Sequence, residues 1–580
     1  MQHRSIWGRV GEKWERFSDR FNLGYSRGPA LLRRMGITGC DVDPDRRGFI
    51  VVQIDGLSYG HLLNAMKKHR LPFLSKMVRT GKLKVHQYQS EIPTSTPAFQ
   101  AGCFYGDNSN IPGFQFYDRK LRRNFRMGQT EFAYLVEKER ANPGVLRDGS
   151  VFSCIFTGDA EAQLFIFSTM LAPRRWKFVF RVWDIVLLSI MNISIFFRMF
   201  FLGIVELALA LYDMVRWRIK RGKSKRELEF LGARLALTVI GRETITLGSI
   251  IDAFRGVPSI YLNYLGYDEH SHLRGPSSKV ALWTLLGIDR SIARIYKAAR
   301  SSEREYDFFI LSDHGQVPTT PFENNAGMSI GDYLKQRLEG VNVATNDDKD
   351  ERADQLDRLT KGMDRMAGPM PRPFRRPLRA YAKFLKRRVR PPEEAAPVTS
   401  PGDVLVTSTG PIAYVYWTKY DDPLTAEAID GLHSHLLDDL AHNENIGFIS
   451  MRTESGGVLI HSHEGQALLE DDKIEVSGKL PFDGSLFRAH VLRGVQRVTL
   501  MPRAGDICIW GSYARKGHIT YSYEQGAHSG CSEDEISAFV MAPPSVDFDF
   551  SNIHRHDQFY ELLSRYVPQI EPVEVGEKTA

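Results

Sequence analysis

The amino-terminal part of the chain lacks the apolar core of a secretory signal. MQHRSIWGRVGEKWERFSDRF contains no apolar run of the roughly 7–15 residues that such signals carry. Cysteine is also scarce, and Cys40, Cys103, Cys154, Cys508 and Cys531 are scattered without a CxxC pair. This pattern argues against a disulfide framework and suits idle thiols in a reducing compartment. We therefore expect a cytoplasmic protein.

The chain also lacks an apolar run long enough to cross a bilayer. Charges interrupt the most apolar region, 182–215, and its longest uncharged stretch, 185–197, has 13 residues, whereas roughly 18 are needed. Lys and Arg are concentrated on both sides, in 174–181 and in 216–226. This pattern favours an interfacial helix or a shallow helical hairpin in peripheral contact with the inner face of the plasma membrane. A buried helical pair within an insertion is the alternative.

Positive charge is in only modest excess. The net charge is +7 over 580 residues, and no recognised nucleic-acid motif accompanies it, so nucleic acid is not an expected partner. The segment 371–390 is locally basic, with nine Lys or Arg, no acid, and apolar residues at near-helical spacing. A basic amphipathic helix on an anionic membrane surface and a solvated linker around a short helix fit this segment equally well.

Three short apolar runs are typical of buried strands. They cover Phe49–Ile54, Ser259–Leu265 and Asp307–Leu311, and an Asp follows each of them within a few residues. Because the runs lack polar–apolar alternation, we expect both faces of each strand to be covered, as in a parallel sheet. A helical pattern over Lys279–Arg300 separates the second run from the third. The alternation predicts an α/β fold with a doubly wound, mostly parallel sheet.

A chain of this length is expected to contain one large domain with insertions, or two to three domains. We divide it into a basic amino-terminal segment (1–46), the first part of an α/β catalytic core (47–163), an apolar and basic helical insertion (164–245), the second part of the core (246–345), a charged linker with the basic amphipathic segment (346–400), and the last part of the core (401–580). Strand-like runs in the last part are Val404–Ser408, Ile412–Trp417, Gly457–His461 and Asp506–Trp510.

Seven side chains along the chain are suited to binding metal. They are Asp55, Thr96, Asp268, His272, Asp313, His314 and His528. Several follow predicted strands, and ligands of doubly wound sheets bind beyond the carboxyl ends of the strands. Carboxylate and imidazole groups bind zinc, and two ions about 4 Å apart can clamp the attacking and leaving oxygens of a phosphoryl transfer. We therefore predict a site for two divalent metal ions, with zinc as the expected metal and manganese as the alternative.

Single members of this set also have plainer interpretations. Asp55 alone fits a helix N-cap as well as a ligand, and Thr96 alone is more typical of an N-cap. The complete set changes the interpretation of Thr96. A metal-bound hydroxyl at a helix N-terminus loses its proton near neutral pH and becomes a nucleophile.

The paired residues suggest how each pair shares an ion. Asp268 and His272 are four apart and would lie on one helix face, although the preceding strand-like run favours a strand-end loop or a first helical turn. Asp313 and His314 are adjacent, so they can share an ion only on irregular backbone, which Gly315 permits.

Together these motifs resemble the alkaline phosphatase superfamily, most closely its nucleotide pyrophosphatase/phosphodiesterase branch. The resemblance covers roughly 47–118, 258–325 and 505–543 and includes PTST, DEHSH, SDHG and GAH. It implies an alkaline phosphatase-like fold with Thr96 as the nucleophile. It further implies one zinc ion bound by Asp268, His272 and His528, and a second bound by Asp55, Thr96, Asp313 and His314.

Two departures from this pattern bear on the substrate. Where the nucleotide-cleaving branch carries an Asn that supports a phosphate oxygen, this chain has Tyr117, whose hydroxyl offers one hydrogen bond. Cys103 lies in CFYGD and not in the CxPxR setting of sulfatases, which disfavours sulfatase activity. If the insertion contacts lipid, a phospholipid becomes the natural substrate.

These observations predict a two-metal phosphodiesterase that acts on a nucleotide or phospholipid-type phosphoester through a phosphothreonine intermediate. A phosphomonoesterase or phosphotransferase of the same superfamily is the first alternative. The second is a catalytically silent, membrane-associated scaffold that retains the fold.

Overall fold

The computed structural model describes most of the chain. It covers residues 39–40, 43, 46–169, 239, 241–338, 340–346, 404–470 and 473–567, with isolated helical residues between 201 and 215 and between 375 and 383. Nearly all of the predicted amino-terminal segment, much of the apolar insertion and most of 346–400 lie outside these residues. Among the described residues, no helix is both long and apolar enough to cross a membrane.

A seven-stranded sheet forms the centre of the fold. Six strands run in one direction, and only Ser537–Ala542 runs against them. Across the sheet the order is Lys84–Gln89, Ser537–Ala542, Tyr306–Leu311, Gly48–Ile54, Ser259–Tyr264, Ser150–Phe152 and Ala162–Leu164. The predicted α/β fold with a mostly parallel sheet is therefore confirmed.

The three strands predicted from apolar runs are neighbours in this sheet. Val51 of the central strand pairs with Tyr261 on one side and with Phe309 on the other. The three strands are parallel, so their carboxyl ends meet at one edge, where Asp55 and the segments carrying Asp268 and Asp313 begin.

Apolar side chains cover both faces of the sheet. Phe49, Val51 and Tyr261 belong to one buried cluster, whereas Ile50 and Val52 belong to a second cluster on the opposite face. This arrangement explains why the runs showed no polar–apolar alternation. The helices are Tyr59–Lys67, Pro72–Arg79, Thr96–Tyr105, Thr130–Lys138, Arg242–Arg255, Gly266–Arg274, Lys279–Ala299, Phe322–Ala326, Ile330–Arg337, Ala426–Leu432, Leu436–Ala441, Arg488–Leu500, Glu533–Ile536 and Asp557–Ser564.

A second sheet of eight strands is inserted in the chain between the strands Tyr306–Leu311 and Ser537–Ala542 of the first sheet, and the sequence did not reveal it as a separate sheet. It is antiparallel except between its first two strands. The order is Val343–Asn346, Val404–Thr409, Ile412–Trp417, Ile507–Trp510, Phe448–Arg452, Val458–His461, Gly465–Glu470 and Lys473–Gly478. The four strand-like runs predicted after residue 401 all lie in this sheet.

Short strand pairs complete the framework. Gln115–Asp118 pairs with Arg123–Arg126, and Thr320–Pro321 pairs with Ile519–Thr520. Gly526–Ala527 pairs with Val317–Pro318. The last pair brings the residues just before His528 beside the residues just after His314.

Candidate metal centre

Asp55 directly follows the central strand. Asn263 Nδ2 donates a hydrogen bond of 2.6 Å to Asp55 Oδ2, and Asn263 is the next residue but one beyond Tyr261 on the neighbouring strand. Gly56 then turns the chain with φ +69°, and a Cβ at this position would lie 2.6 Å from Asp268 Oδ1. The N-cap of the following helix is Ser58, not Asp55. The carboxylate of Asp55 therefore faces the site.

Thr96 is the first residue of the helix Thr96–Tyr105, and Ser95 is the N-cap residue. The buried Thr96 Oγ1 lies 3.4 Å from Asp55 Oδ1 and 3.2 Å from His314 Nε2. The first turn of a helix offers backbone N–H groups without intrahelical partners, which favour an anion. Thr96 thus combines a hydroxyl, an anion-binding helix end and contact with two candidate ligands.

Asp268 and His272 lie one turn apart in the helix Gly266–Arg274, with Asp268 in its first turn. His272 Nε2 is 3.2 Å from Asp268 Oδ2. His528 Nε2 reaches Asp268 Oδ1 at 3.8 Å. Helical spacing places the first two residues together, and the loop after residue 527 supplies the third.

Asp313 and His314 follow the strand Tyr306–Leu311 and are fully buried. His314 Nε2 lies 3.2 Å from Asp313 Oδ2 and 3.9 Å from Asp55 Oδ1. The following Gly315 is not in the left-handed region of backbone space. It is required for packing, because a Cβ there would lie 1.9 Å from the carbonyl oxygen of Asp534. Asp313 and His314 lie on irregular backbone, outside any helix or strand, as expected.

The two groups adjoin each other. Asp55, Asp313 and His314 offer ligand atoms that all lie within 4.8 Å of one another, and so do Asp268, His272 and His528. The rings of His314 and His528 stack with centroids 3.9 Å apart, which joins the groups. The structure thus brings all seven predicted side chains to one place.

The histidine tautomers prepare the site for cations. His272, His314 and His528 each direct Nδ1 at a backbone carbonyl, of Gly526, Gly315 and Thr94 respectively, at 2.9–3.0 Å. An Nδ1–H that donates to a carbonyl leaves Nε2 as an acceptor, the form that binds metal. Nε2 of His314 then lies 3.2 Å from Asp313 Oδ2, which accepts no hydrogen bond. Two lone-pair donors at this separation are stabilised by a cation between them, so the residues fit divalent metal ions.

The pKa values of the side chains point the same way. Burial and the neighbouring Asp313 and Asp268 hold the pKa of Asp55 well above its usual range, and burial raises the pKa of Asp313 to about 6. Burial lowers the pKa of His314 to about 4 and that of His528 to about 3. His272 differs, because Asp268 and Glu524 outweigh burial and raise its pKa, and His272 in turn lowers the pKa of Asp268. Asp55 and Asp313 therefore lack compensating positive charge, and the imidazoles of His314 and His528 are neutral, so bound cations would stabilise this part of the cluster.

Several supporting residues were missed by sequence reasoning. Gln316 Nε2 donates to Asp268 Oδ1, and Glu524 Oε1 lies 3.0 Å from His272 Nδ1. Gln53 and Asn263 pair in register and both contact Asp55. A polar residue within an apolar strand run is a signal that could have identified Gln53 and Asn263. Nothing comparable marks Gln316 or Glu524.

Tyr117, the residue at the position of the phosphate-supporting Asn, lies in the apolar core of the second sheet. It is buried, and its ring packs against Tyr416 with centroids 5.6 Å apart. The aromatic ring therefore packs against the second sheet, and the backbone of Tyr117 pairs with Asn124 of the strand Arg123–Arg126.

Comparison with known proteins identifies the family. Residues 49–367, more than half of the chain, match the type I phosphodiesterase/nucleotide pyrophosphatase family. This chain belongs to that family. The family prediction made from the motifs is confirmed, and the protein is a metal-dependent hydrolase of phosphoesters.

Two solved structures show a distant similarity to this chain. One is phosphonoacetate hydrolase from Sinorhizobium meliloti in complex with phosphonoformate, at 12% identity, TM-score 0.42, and coverage of 90% of this chain and 96% of that chain. Another is murine ectonucleotide pyrophosphatase/phosphodiesterase 5, at 10% identity, TM-score 0.39, and coverage of 86% and 88%. A search of curated proteins found no match.

Removing one candidate ligand should lower the metal content. We expect the zinc-loaded protein to carry about two ions per chain, and His528→Ala to carry about one. Elemental analysis of dialysed protein measures this content. His463→Ala, which alters an exposed histidine, is the matched control and should retain the full content. An unchanged metal content in His528→Ala would contradict the ligand assignment.

Proposed function

We propose that this protein hydrolyses phosphodiesters with the Thr96 hydroxyl as the nucleophile. The observation that carries the proposal is the position of Thr96 Oγ1, at a helix N-terminus and 3.2–3.4 Å from His314 and Asp55. This is where an oxygen nucleophile and a phosphate group can share the same charged surroundings.

The candidate ligands divide into two sets. Asp55, Thr96, Asp313 and His314 would hold one divalent ion, and Asp268, His272 and His528 would hold the other. The mixture of carboxylate and imidazole donors fits zinc, and manganese is the second candidate. Such a pair supplies positive charge that lowers the pKa of the threonine hydroxyl and of water and stabilises charge developing on the phosphate.

The chain's own residues perform the covalent steps. Thr96 Oγ1 attacks phosphorus in line, forming a Thr–O–P bond while the bond to the leaving alcohol breaks and that alcohol takes up a proton. Free N–H groups at the start of the helix Thr96–Tyr105 orient the phosphate. A water molecule then attacks the phosphothreonine, and the Thr96 oxygen leaves and regains its proton. The products are an alcohol and a phosphomonoester.

The substrate belongs to the nucleotide or phospholipid-type phosphoesters. The position of Tyr117 in the core of the second sheet removes the phosphate contact expected at that place in nucleotide-cleaving relatives, which favours a substrate other than a nucleotide. A phosphomonoesterase or phosphotransferase of the same superfamily is the second candidate function. The family match, with all seven side chains present and close together, argues against a catalytically silent scaffold. The expected cytoplasmic location stays a prediction.

Thr96→Ala should abolish turnover while leaving the metal content largely unchanged. Without the nucleophilic oxygen, kcat should fall about a thousandfold or more. Thr96→Ser keeps a hydroxyl at the same place and is the matched control, with substantial activity retained. Turnover is followed with a chromogenic phosphodiester, and metal by elemental analysis. Wild-type kcat in the alanine variant would remove Thr96 from the mechanism.

The choice between a diesterase and a monoesterase can be made with paired substrates. We expect kcat/KM for bis-p-nitrophenyl phosphate to exceed that for p-nitrophenyl phosphate by about tenfold or more, because the family that the chain matches is one of phosphodiesterases. Steady-state kinetics of the zinc-loaded enzyme gives both values. A preference for the monoester would favour the phosphomonoesterase alternative.

A further inference from the structure

The described helical residues between 201 and 215 expose a dense set of apolar side chains. Six of the fourteen exposed large apolar residues in the described part of the chain lie here, with 42–62% of their surface accessible. They are Phe201, Ile204, Leu207, Leu211, Tyr212 and Val215. An exposed apolar surface of this density indicates an interaction site.

Each of these six residues is helical, and their spacing in the sequence is that of residues on one side of a helix. At about 100° per residue they fall within an arc of about 140°. Glu206 lies close to the middle of the opposite side and is buried. The apolar stripe is therefore the outer face, and the polar residue is the inner one, which reverses the usual pattern of a surface helix.

Glu206 holds this orientation through a contact with the helix Gly266–Arg274. Its Oε1 lies 3.0 Å from His270 Nε2, and both side chains are buried. Arg274 Nη1 donates to His270 Nδ1 at 2.8 Å, so the Nε2–H of a neutral imidazole donates to the Glu206 carboxylate. Rotating the helix would leave a buried carboxylate without this partner, which is costly.

The same contact ties the helix to the candidate metal centre. His270 lies between Asp268 and His272 on one short helix. The outward apolar face is thus held at a fixed orientation relative to two candidate metal ligands.

The charges that border this helix in the sequence are almost all positive. Segment 216–226 contains seven Lys or Arg and no acid, and segment 174–181 contains four and no acid. A protein that binds an apolar stripe does not in general need positive charge beside that stripe. An anionic lipid surface does, because it combines an apolar layer with negative headgroups.

We propose that the outer face of the helix at 201–215 docks onto an anionic phospholipid bilayer and lies in the plane of its interface. If the proposed diesterase function holds, on which this part rests, the substrate class is a phosphodiester borne by a lipid.

Flotation with vesicles tests the docking without requiring activity. The full-length protein should float with vesicles of phosphatidylcholine and phosphatidylglycerol at low salt, and much less with phosphatidylcholine alone. Ile204→Glu/Leu211→Glu places two negative charges in the middle of the stripe and should lower the floating fraction about tenfold. Ile474→Glu/Leu486→Glu adds the same charge at two exposed residues, one in the strand Lys473–Gly478 and one before the helix Arg488–Leu500, and should float like the wild type.

Four results would overturn the proposal. The first is a wild-type protein that does not float with anionic vesicles. The second is equal flotation of Ile204→Glu/Leu211→Glu and the wild type. The third is a marked fall in the thermal unfolding midpoint of Ile204→Glu/Leu211→Glu when the wild type does not float. That fall would mean that other parts of the protein cover the face, so that the added charges destabilise the fold. A concentration-dependent dimer that this variant alone loses, with no vesicle binding, would also overturn the proposal by assigning the face to a second copy of the chain.

Activity on the same vesicles separates the two proposals. Release of a soluble product from a phosphodiester lipid by wild-type protein, and loss of this release in Ile204→Glu/Leu211→Glu, is the expected result. Flotation without release from any lipid diester would refute the lipid substrate and leave docking intact. Hydrolysis of a soluble diester without flotation would refute docking and leave the diesterase function intact.

Discussion

Three carboxylates placed together with little access to water are the constraint on which the rest of this structure depends. Asp55, Asp268 and Asp313 converge at one edge of the central sheet, and burial with mutual repulsion raises the pKa values of Asp55 and Asp313. Such a cluster is unfavourable on its own, and proteins retain it where cations bind. The hydrogen bonds from Asn263 and Gln316 hold two of these carboxylates in position, so the arrangement is prepared before a cation arrives.

The fold assembles this cluster from segments hundreds of residues apart. Parallel pairing of the three central strands aligns their carboxyl ends, and the short pair Gly526–Ala527 with Val317–Pro318 adds the loop of His528. The second sheet supports that loop. Gly410 lies in a tight turn of this sheet with φ +55°, and a Cβ there would lie 2.0 Å from the His528 carbonyl oxygen. The second sheet therefore helps to shape the metal centre.

Much of this arrangement was predictable because local sequence carries the relevant physics. An apolar run that ends near an Asp indicates a buried strand with a polar end, and the helix predicted over Lys279–Arg300 ends within one residue of the observed helix. The four-residue spacing of Asp268 and His272 places both side chains on one face of the helix that carries them. The resemblance to the family then indicated which distant residues bind the same metal ion, which no local pattern could have shown.

Other features depended on tertiary packing and could not be predicted. The strand Lys473–Gly478 is exposed along its whole length and pairs with Gly465–Glu470, so no buried face marks it in the sequence. The need for glycine at Gly315 comes from Asp534, more than 200 residues away. The hydrogen bond between His270 and Glu206 likewise joins an apolar insertion to a motif whose own residues gave no sign of that contact.

The most direct measurement of the central claim is crystallographic localisation of zinc. Diffraction data collected on both sides of the zinc absorption edge show metal positions independently of any activity. The account predicts two anomalous peaks about 4 Å apart, one bound by Asp55, Asp313 and His314 and the other by Asp268, His272 and His528, at bond lengths of about 2 Å. Zinc-loaded crystals with no peak among these side chains would contradict it.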